Sequence, residues 1–255
     1  MPGHKGKGGY SNPISVAVSS TPDGKYEYLG VVKSKQGEPL TEKICFDPAV
    51  MNDAGTIRLY YGTSFEFDEH RRWFNHWVFN LVEAKMFDRS RKAIKAAAKS
   101  GGITGAFVVT LQDDMLTAET EPHRLFDNNS TNTSFQGHAF FEGSSIRKMN
   151  ETYYFIYSSR NNHELCYATS PYPDKEFECK GTIVSNGDIG YQGRTDSQKT
   201  NHTGTNHGCI ECVNGQWYVF YHRLTHLTDY SRQACAEPIT LQENGEIAQV
   251  ELTSC

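Results

Sequence analysis

Three stretches of the chain repeat one pattern. AGTIRLYY, NETYYFIY and NGQWYVFY end at Tyr61, Tyr157 and Tyr221. Each opens on turn residues and runs into aromatic, β-branched or apolar side chains, which reads as a turn followed by a buried strand. A second pair matches as well. SSTPDGKYEYLG (19–30) and SPYPDKEFECKG (170–181) each join a strand end, a Pro-Asp turn, an aromatic and a glycine. Repeated four-stranded units of this size are the mark of a β-propeller, because one blade cannot bury both of its faces and must stack against its neighbours around an axis. The fold class expected is therefore all-β.

The spacing carries more. Tyr157 and Tyr221 are 64 residues apart, but Tyr61 and Tyr157 are 96 apart, so the longer interval needs an insertion. Residues 69–102 supply one. They are rich in Ala, Lys, Arg and Glu and end in Gly-Gly, as a helix does. Trp73, Trp77 and Leu81 recur every four residues along one apolar face. This predicts helical structure laid against the β scaffold, as rim packing or as a lid. At the other end, Tyr157 precedes Ala168 by 11 residues, and Ala17 is the counterpart of Ala168 in the earlier copy. The same step back from Ala17 lands within MPGHKGKGG, where no strand can be read. Residues 1–13 are thus expected to be irregular and 14–255 to form a partial propeller, entered partway through its first blade.

Composition narrows the function. A net charge of −5 gives no basic footprint for nucleic acid or an anionic membrane. No apolar run is long enough to span a bilayer, and no signal peptide follows Lys5 and Lys7. Localisation stays open: secreted or periplasmic if a leader precedes this sequence, cytoplasmic otherwise. The 7 cysteines, an odd number at scattered spacings, read as reduced thiols rather than a disulfide framework.

Three ionisable residues stand at nearly one depth. Asp47, Glu142 and His207 precede their repeat tyrosines by 14, 15 and 14 residues, each in a short strand leading into its repeat. Inner strands of a propeller face the central channel, so this register places all three there. Two carboxylates on one channel suit glycoside hydrolysis. One must keep its proton for the leaving oxygen, and desolvation and a neighbouring anion favour that. Phe135, Tyr191 and Trp73 are candidates to stack on sugar faces, with core packing as the alternative for each. His202, His207, Cys209 and Cys212 resemble a zinc set, but an odd separation on a strand sends Cys209 and Cys212 to opposite faces, against tetrahedral binding.

The segments FDPAVMNDAGTIRLYYG, FFEGSSIRKMNETYYFIYSS, NHGCIECVNGQWYVFYHR and YSRQACAEPI together resemble glycoside hydrolase family 43, from Val16 to the C-terminus. The family includes β-xylosidases and α-L-arabinofuranosidases. The resemblance implies a five-bladed propeller, here with its first blade missing or incomplete, and an inverting mechanism. It implies that Glu142 is the general acid and that Asp47 orients it and tunes its proton affinity. His207 would lie near the channel centre, linked through water to a bound calcium, and Arg232 would approach the substrate. An oligosaccharide or polysaccharide from xylan or arabinoxylan is the implied partner. The family's general base is an aspartate on the first blade, and no matching motif is found. Asp23 sits in a Pro-Asp-Gly turn away from the channel register. An inverting enzyme needs that base across the sugar, about 6.5–9.5 Å from the acid. The alternative reading is a non-catalytic carbohydrate-binding propeller. A propeller fructosidase or a phosphorolytic relative would rest on architecture alone.

Overall fold

The aromatic repeats are the second strands of three antiparallel meanders. A computed structural model describes residues 5–6, 9–10, 13–40, 45–63, 105–126, 130–204, 206–225 and 230–253. A minimal ladder joins β1 (Lys5–Gly6) to β2 (Gly9–Tyr10). Strands β3 (Ser15–Val18) and β4 (Glu27–Val31) form a two-stranded sheet. Next comes a four-stranded meander of β5 (Phe46–Asp53), β6 (Thr56–Thr63), β7 (Gly105–Leu111) and β8 (His123–Phe126). A second has β9 (Phe140–Met149), β10 (Thr152–Ser159), β11 (Glu164–Ser170) and β12 (Glu178–Ser185). The last sheet has three strands, β13 (Gly208–Val213), β14 (Gln216–Leu224) and β15 (Arg232–Pro238). The first strands β5, β9 and β13 lie against one another in turn. That is the arrangement of a β-propeller, with inner strands gathered at the axis and later strands stepping outward.

The repeat strands are apolar on both sides because two of them are buried on both sides. Along β10, Phe155 and Tyr157 face a core shared with Tyr60, Val108, Phe126 and Phe140. Tyr154 and Ile156 face the opposite core with Leu165, Ile210, Val219 and Tyr221. In β6, Tyr60 belongs to the first of these cores, while Leu59 and Tyr61 join a third with Phe107 and Val109. Burying one such side chain stabilises by about 1.5–3 kcal/mol, so β6 and β10 each tie two sheet layers together. In β14 only one face is covered. Val219 is fully buried, and Phe220 is 37% exposed.

The second pair of repeats shares its ladder irregularity. Val16 pairs with Gly30 and Ala17 with Tyr28, as Tyr167 pairs with Gly181 and Ala168 with Cys179. Each ladder slips one residue at the same step, so β3 and β4 are the counterparts of the outer strands β11 and β12. No inner strands accompany β3 and β4 among the described residues. Beyond the β1–β2 ladder, these residues make four sheets, so they do not supply the five blades that the resemblance implies. The expected helical insertion at 69–102, with Trp73, lies outside the described residues, as does most of the irregular segment 1–13. The helical turns described are three short ones, at Asn186–Asp188, Tyr191–Gly193 and Asp196–Gln198. No described helix is long and apolar enough to cross a membrane.

Candidate active site

Both carboxylates stand on interruptions of the inner strands. In the β5–β6 ladder, Phe46 pairs with Gly62 and Ala49 with Tyr60, so β5 carries one extra residue beside Asp47. In the β9–β10 ladder, Ser145 pairs with Ile156 and Glu142 with Ser158, so β9 carries one extra residue just after Glu142. A bulge re-aims the side chain next to it, here in two sheets at one depth. The backbone records the cost. Asp47 sits at φ 45, in the left-handed region that an aspartate tolerates better than most residues. Gly143 sits at φ 80, and a Cβ there would lie 3.1 Å from Ser158 Oγ, so glycine suits that position twice over.

These turns bring the three candidates together. One ligand-type atom from each of Asp47, Glu142 and His207 lies within 4.8 Å of the others. The Gly143 N–H donates to Asp47 Oδ2 at 3.1 Å. Asp47 thereby grips the backbone next to Glu142. Glu142 Oε1 and His207 Nε2 are 2.8 Å apart. The His207 N–H donates to His222 Nδ1 at 3.4 Å, and the Ser158 hydroxyl donates to the Asn206 carbonyl. All three side chains are half-buried, which keeps them reachable while weakening their hydration.

The charges are mutually dependent. Burial raises the Asp47 pKa and the nearby Glu142 carboxylate adds to this, while His207 and the Gly143 N–H oppose it. The hydrogen bond that His207 Nε2 donates to Glu142 raises the His207 pKa most. Burial opposes it, the Glu142 and Asp47 charges add, and Arg232 at the start of β15 opposes it. Arg232 is therefore near enough for its charge to be felt at His207. In an NMR titration, the His207 Hε1 resonance is expected to move with a midpoint above the ordinary histidine value. Glu142→Gln should lower that midpoint most and Asp47→Asn less. A wild-type midpoint at or below the ordinary value would overturn this arrangement.

The aromatic candidates fare differently. Phe135 is buried, its ring 4.4 Å from that of Phe126 and stacked on it, inside the core shared with Tyr157. The stacking role is corrected to core packing, because no face of that ring is open to a sugar. Tyr191 lies in the second helical turn, half-buried, its hydroxyl accepting from Gln192 Nε2 at 3.4 Å. No described contact joins it to the carboxylates. Cys209 and Cys212 pair with Phe220 and Trp217 on β14, and the described metal-type clusters do not include them.

The sequence reading missed His222, Ser158 and the Gly143 amide. A signal for two of them was present. The residue after each repeat tyrosine is Gly62, Ser158 and His222, the position that lies beside the bulge or the His207 strand end. Asn206 was missed too. It is buried beside His207, with neither side-chain amide atom hydrogen-bonded among the described residues.

Comparison with known proteins bears on the family and the fold. The family model for glycosyl hydrolases family 43 matches residues 92–247. A xylosidase/arabinosidase from Thermoclostridium stercorarium is 41% identical over 249 residues, covering 95% of this chain and 46% of that protein. One from Bacteroides ovatus is 28% identical over 217 residues, covering 82% of this chain and 55% of that protein. The chain thus spans about half the length of these relatives. Among solved structures, a β-xylosidase/α-arabinofuranosidase from a compost microbial metagenome, in a calcium-free form with xylotriose, superposes with a TM-score of 0.61. It is 24% identical, and the match covers 94% of this chain and 66% of that one. An α-L-arabinofuranosidase from Clostridium thermocellum gives a TM-score of 0.59 at 22% identity, over 96% of this chain and 67% of that one.

Proposed function

The chain belongs to glycosyl hydrolase family 43, and from that premise we propose that Asp47, Glu142 and His207 form the proton-donating half of a site for inverting hydrolysis of β-xylosides or α-L-arabinofuranosides. The observation that carries this reading is the convergence of the three side chains from three sheets. Glu142 is held by His207 through Oε1, which leaves Oε2 for the leaving oxygen. Asp47, through the Gly143 amide, fixes the turn from which Glu142 projects. Glu142 would pass a proton to the leaving oxygen as the glycosidic bond breaks. Arg232 would meet a sugar hydroxyl at the rim. The substrate class is xylan-derived oligosaccharide, in keeping with the names of the relatives.

The opposite half of the reaction calls for a carboxylate across the sugar, about 6.5–9.5 Å from Glu142. Among the described residues, the ionisable groups that act on Asp47 are His207 and Glu142. Without that carboxylate across the sugar, turnover would be slow, and sugar binding would outlast it.

A calcium ion held through water by His207 fits this donor set better than direct ligation. Calcium takes six to eight oxygens, and His207 Nε2 already faces Glu142. Asn206, next to His207 in sequence and with no side-chain partner among the described residues, has an amide oxygen to offer a hydrated ion. When bound, the ion would supply positive charge beside the two carboxylates.

Nitrophenyl β-D-xyloside and α-L-arabinofuranoside, offered to the wild type and to Glu142→Gln alongside a xylose-binding measurement, test the reading. Slow turnover lost in the variant, with xylose still bound, supports it. Equal turnover by both proteins removes Glu142 from its role. Binding with no turnover at all favours the non-catalytic carbohydrate-binding propeller.

A further inference from the structure

Outside this site, a second group of unlike side chains converges. Glu164 and Cys166 are two residues apart on β11 and so leave it on the same face. His138, in the segment leading into β9, closes over them. Its Nδ1 is 2.8 Å from Glu164 Oε2, Cys166 Sγ is 3.1 Å from the same oxygen, and Sγ and Nδ1 are 3.7 Å apart.

We propose that His138 Nδ1, Glu164 Oε2 and Cys166 Sγ form a binding site for zinc or a divalent cation of like size, with water in the fourth position. Imidazole, carboxylate and thiolate are the ligands zinc takes, and three protein ligands plus water is a common set. Tetrahedral zinc with ordinary bond lengths spaces such ligands by about 3.4–3.6 Å. The nitrogen–sulfur separation already matches. The carboxylate oxygen lies closer to both because it now accepts a hydrogen bond from each, and the cation would replace those two protons.

The surroundings are built for orientation. Asn161 Nδ2 donates to Glu164 Oε1 at 2.9 Å and to the Gly137 carbonyl at 2.7 Å, tying the carboxylate to the His138 segment. The Ser159 hydroxyl donates to Oε2 at 3.0 Å, and the Tyr157 hydroxyl holds the His138 carbonyl at 2.7 Å. Partners of this kind fix metal ligands in place. Cys166 and Glu164 are buried, while the His138 side chain is 34% exposed, so a cation can enter from that side.

Charge also balances. A protonated imidazole, a carboxylate and a thiol sum to zero. A divalent cation with neutral imidazole, carboxylate and thiolate does so too, with one proton released from Nδ1 and one from Sγ. Burial and Glu164 push the bare Cys166 thiol well above its ordinary pKa, so a cation is what makes the thiolate accessible there.

Cobalt(II) tests this, because a bound thiolate gives a sulfur-to-metal charge-transfer band that the sulfur-free Asp47–Glu142–His207 group cannot produce. Titrating the chelator-treated protein with cobalt is expected to raise that band together with tetrahedral visible absorption. Both should saturate at one equivalent and be displaced by zinc. Cys166→Ser should lose the charge-transfer band. His138→Ala, a milder change at a half-exposed position, should weaken binding tenfold or more while its near-ultraviolet circular dichroism stays native. No band in the folded wild type at excess cobalt, or an undiminished band in both variants, overturns the proposal and leaves the cluster as a hydrogen-bonded pin.

Discussion

Azide is expected to raise the turnover of nitrophenyl β-D-xyloside by this chain about 100-fold and to yield a xylosyl azide of inverted configuration. Positioned general bases contribute roughly 10²–10⁴-fold to such reactions. That factor is missing if water must attack with no carboxylate to take its proton. Azide is an anion already and needs no base, so it recovers much of the lost rate, and it must enter on the face opposite the leaving group. The Glu142→Gln variant separates the two halves of the chemistry. With a weakly acidic alcohol as leaving group, loss of the proton donor should cost a further 10²–10⁴-fold or so, and azide should not restore it. With dinitrophenolate, which departs without a proton, the variant should respond to azide nearly as the wild type does. Brisk turnover that azide leaves unchanged would mean that a base carboxylate operates after all. Full azide rescue of the variant on the weakly acidic leaving group would mean that Glu142 is not the acid.

What could be read in advance follows from what a repeat preserves. The depth of Asp47, Glu142 and His207 was legible because each inner strand leads by nearly the same length into an aromatic strand, and next to their shared turns those strands pair in the same register in all three sheets. The matched slips at Val16–Ala17 and Tyr167–Ala168 show the same economy in the outer strands. The bulges beside Asp47 and Glu142 were not legible, because a bulge belongs to two strands together and neither sequence alone records it. Phe135 was misjudged for a related reason. A ring in a turn-rich segment reads alike whether it stacks on a sugar or on Phe126, and only the fold of 130–139 over β8 decides. The His138–Glu164–Cys166 group escaped notice because its members lie 26 and 28 residues apart in sequence pairs, at no metal-type spacing. Only β11's alternation joins two of them.

Gly208→Ala should be the most damaging single-methyl change near the site. A Cβ at Gly208 would fall 2.2 Å from the Phe220 carbonyl oxygen, 2.8 Å from Leu165 Cδ2 and 3.1 Å from Tyr221 Cα. Two of these atoms are backbone of β14, the strand to which Gly208 is paired through Tyr221. No side-chain rotation relieves that contact, so β13 must part from β14 at its first residue or the sheet must shift. Overpacking that moves backbone costs about 3 kcal/mol, a large share of a domain's net stability. Cys212→Ala, at an exposed position on the same strand, should stay within about 0.5 kcal/mol of wild type and serves as the control. Urea unfolding reads the difference as a drop in midpoint at unchanged slope. If the strand end peels while the rest of the fold holds, the loss appears instead at His207. Its contact with Glu142 depends on the close approach that Gly208 permits, and its elevated titration midpoint should fall toward the ordinary histidine value. A Gly208→Ala protein with wild-type stability and an unshifted His207 would show that β13 and β14 do not meet as closely as described. The proton-donating arrangement would then lose the strand that positions it.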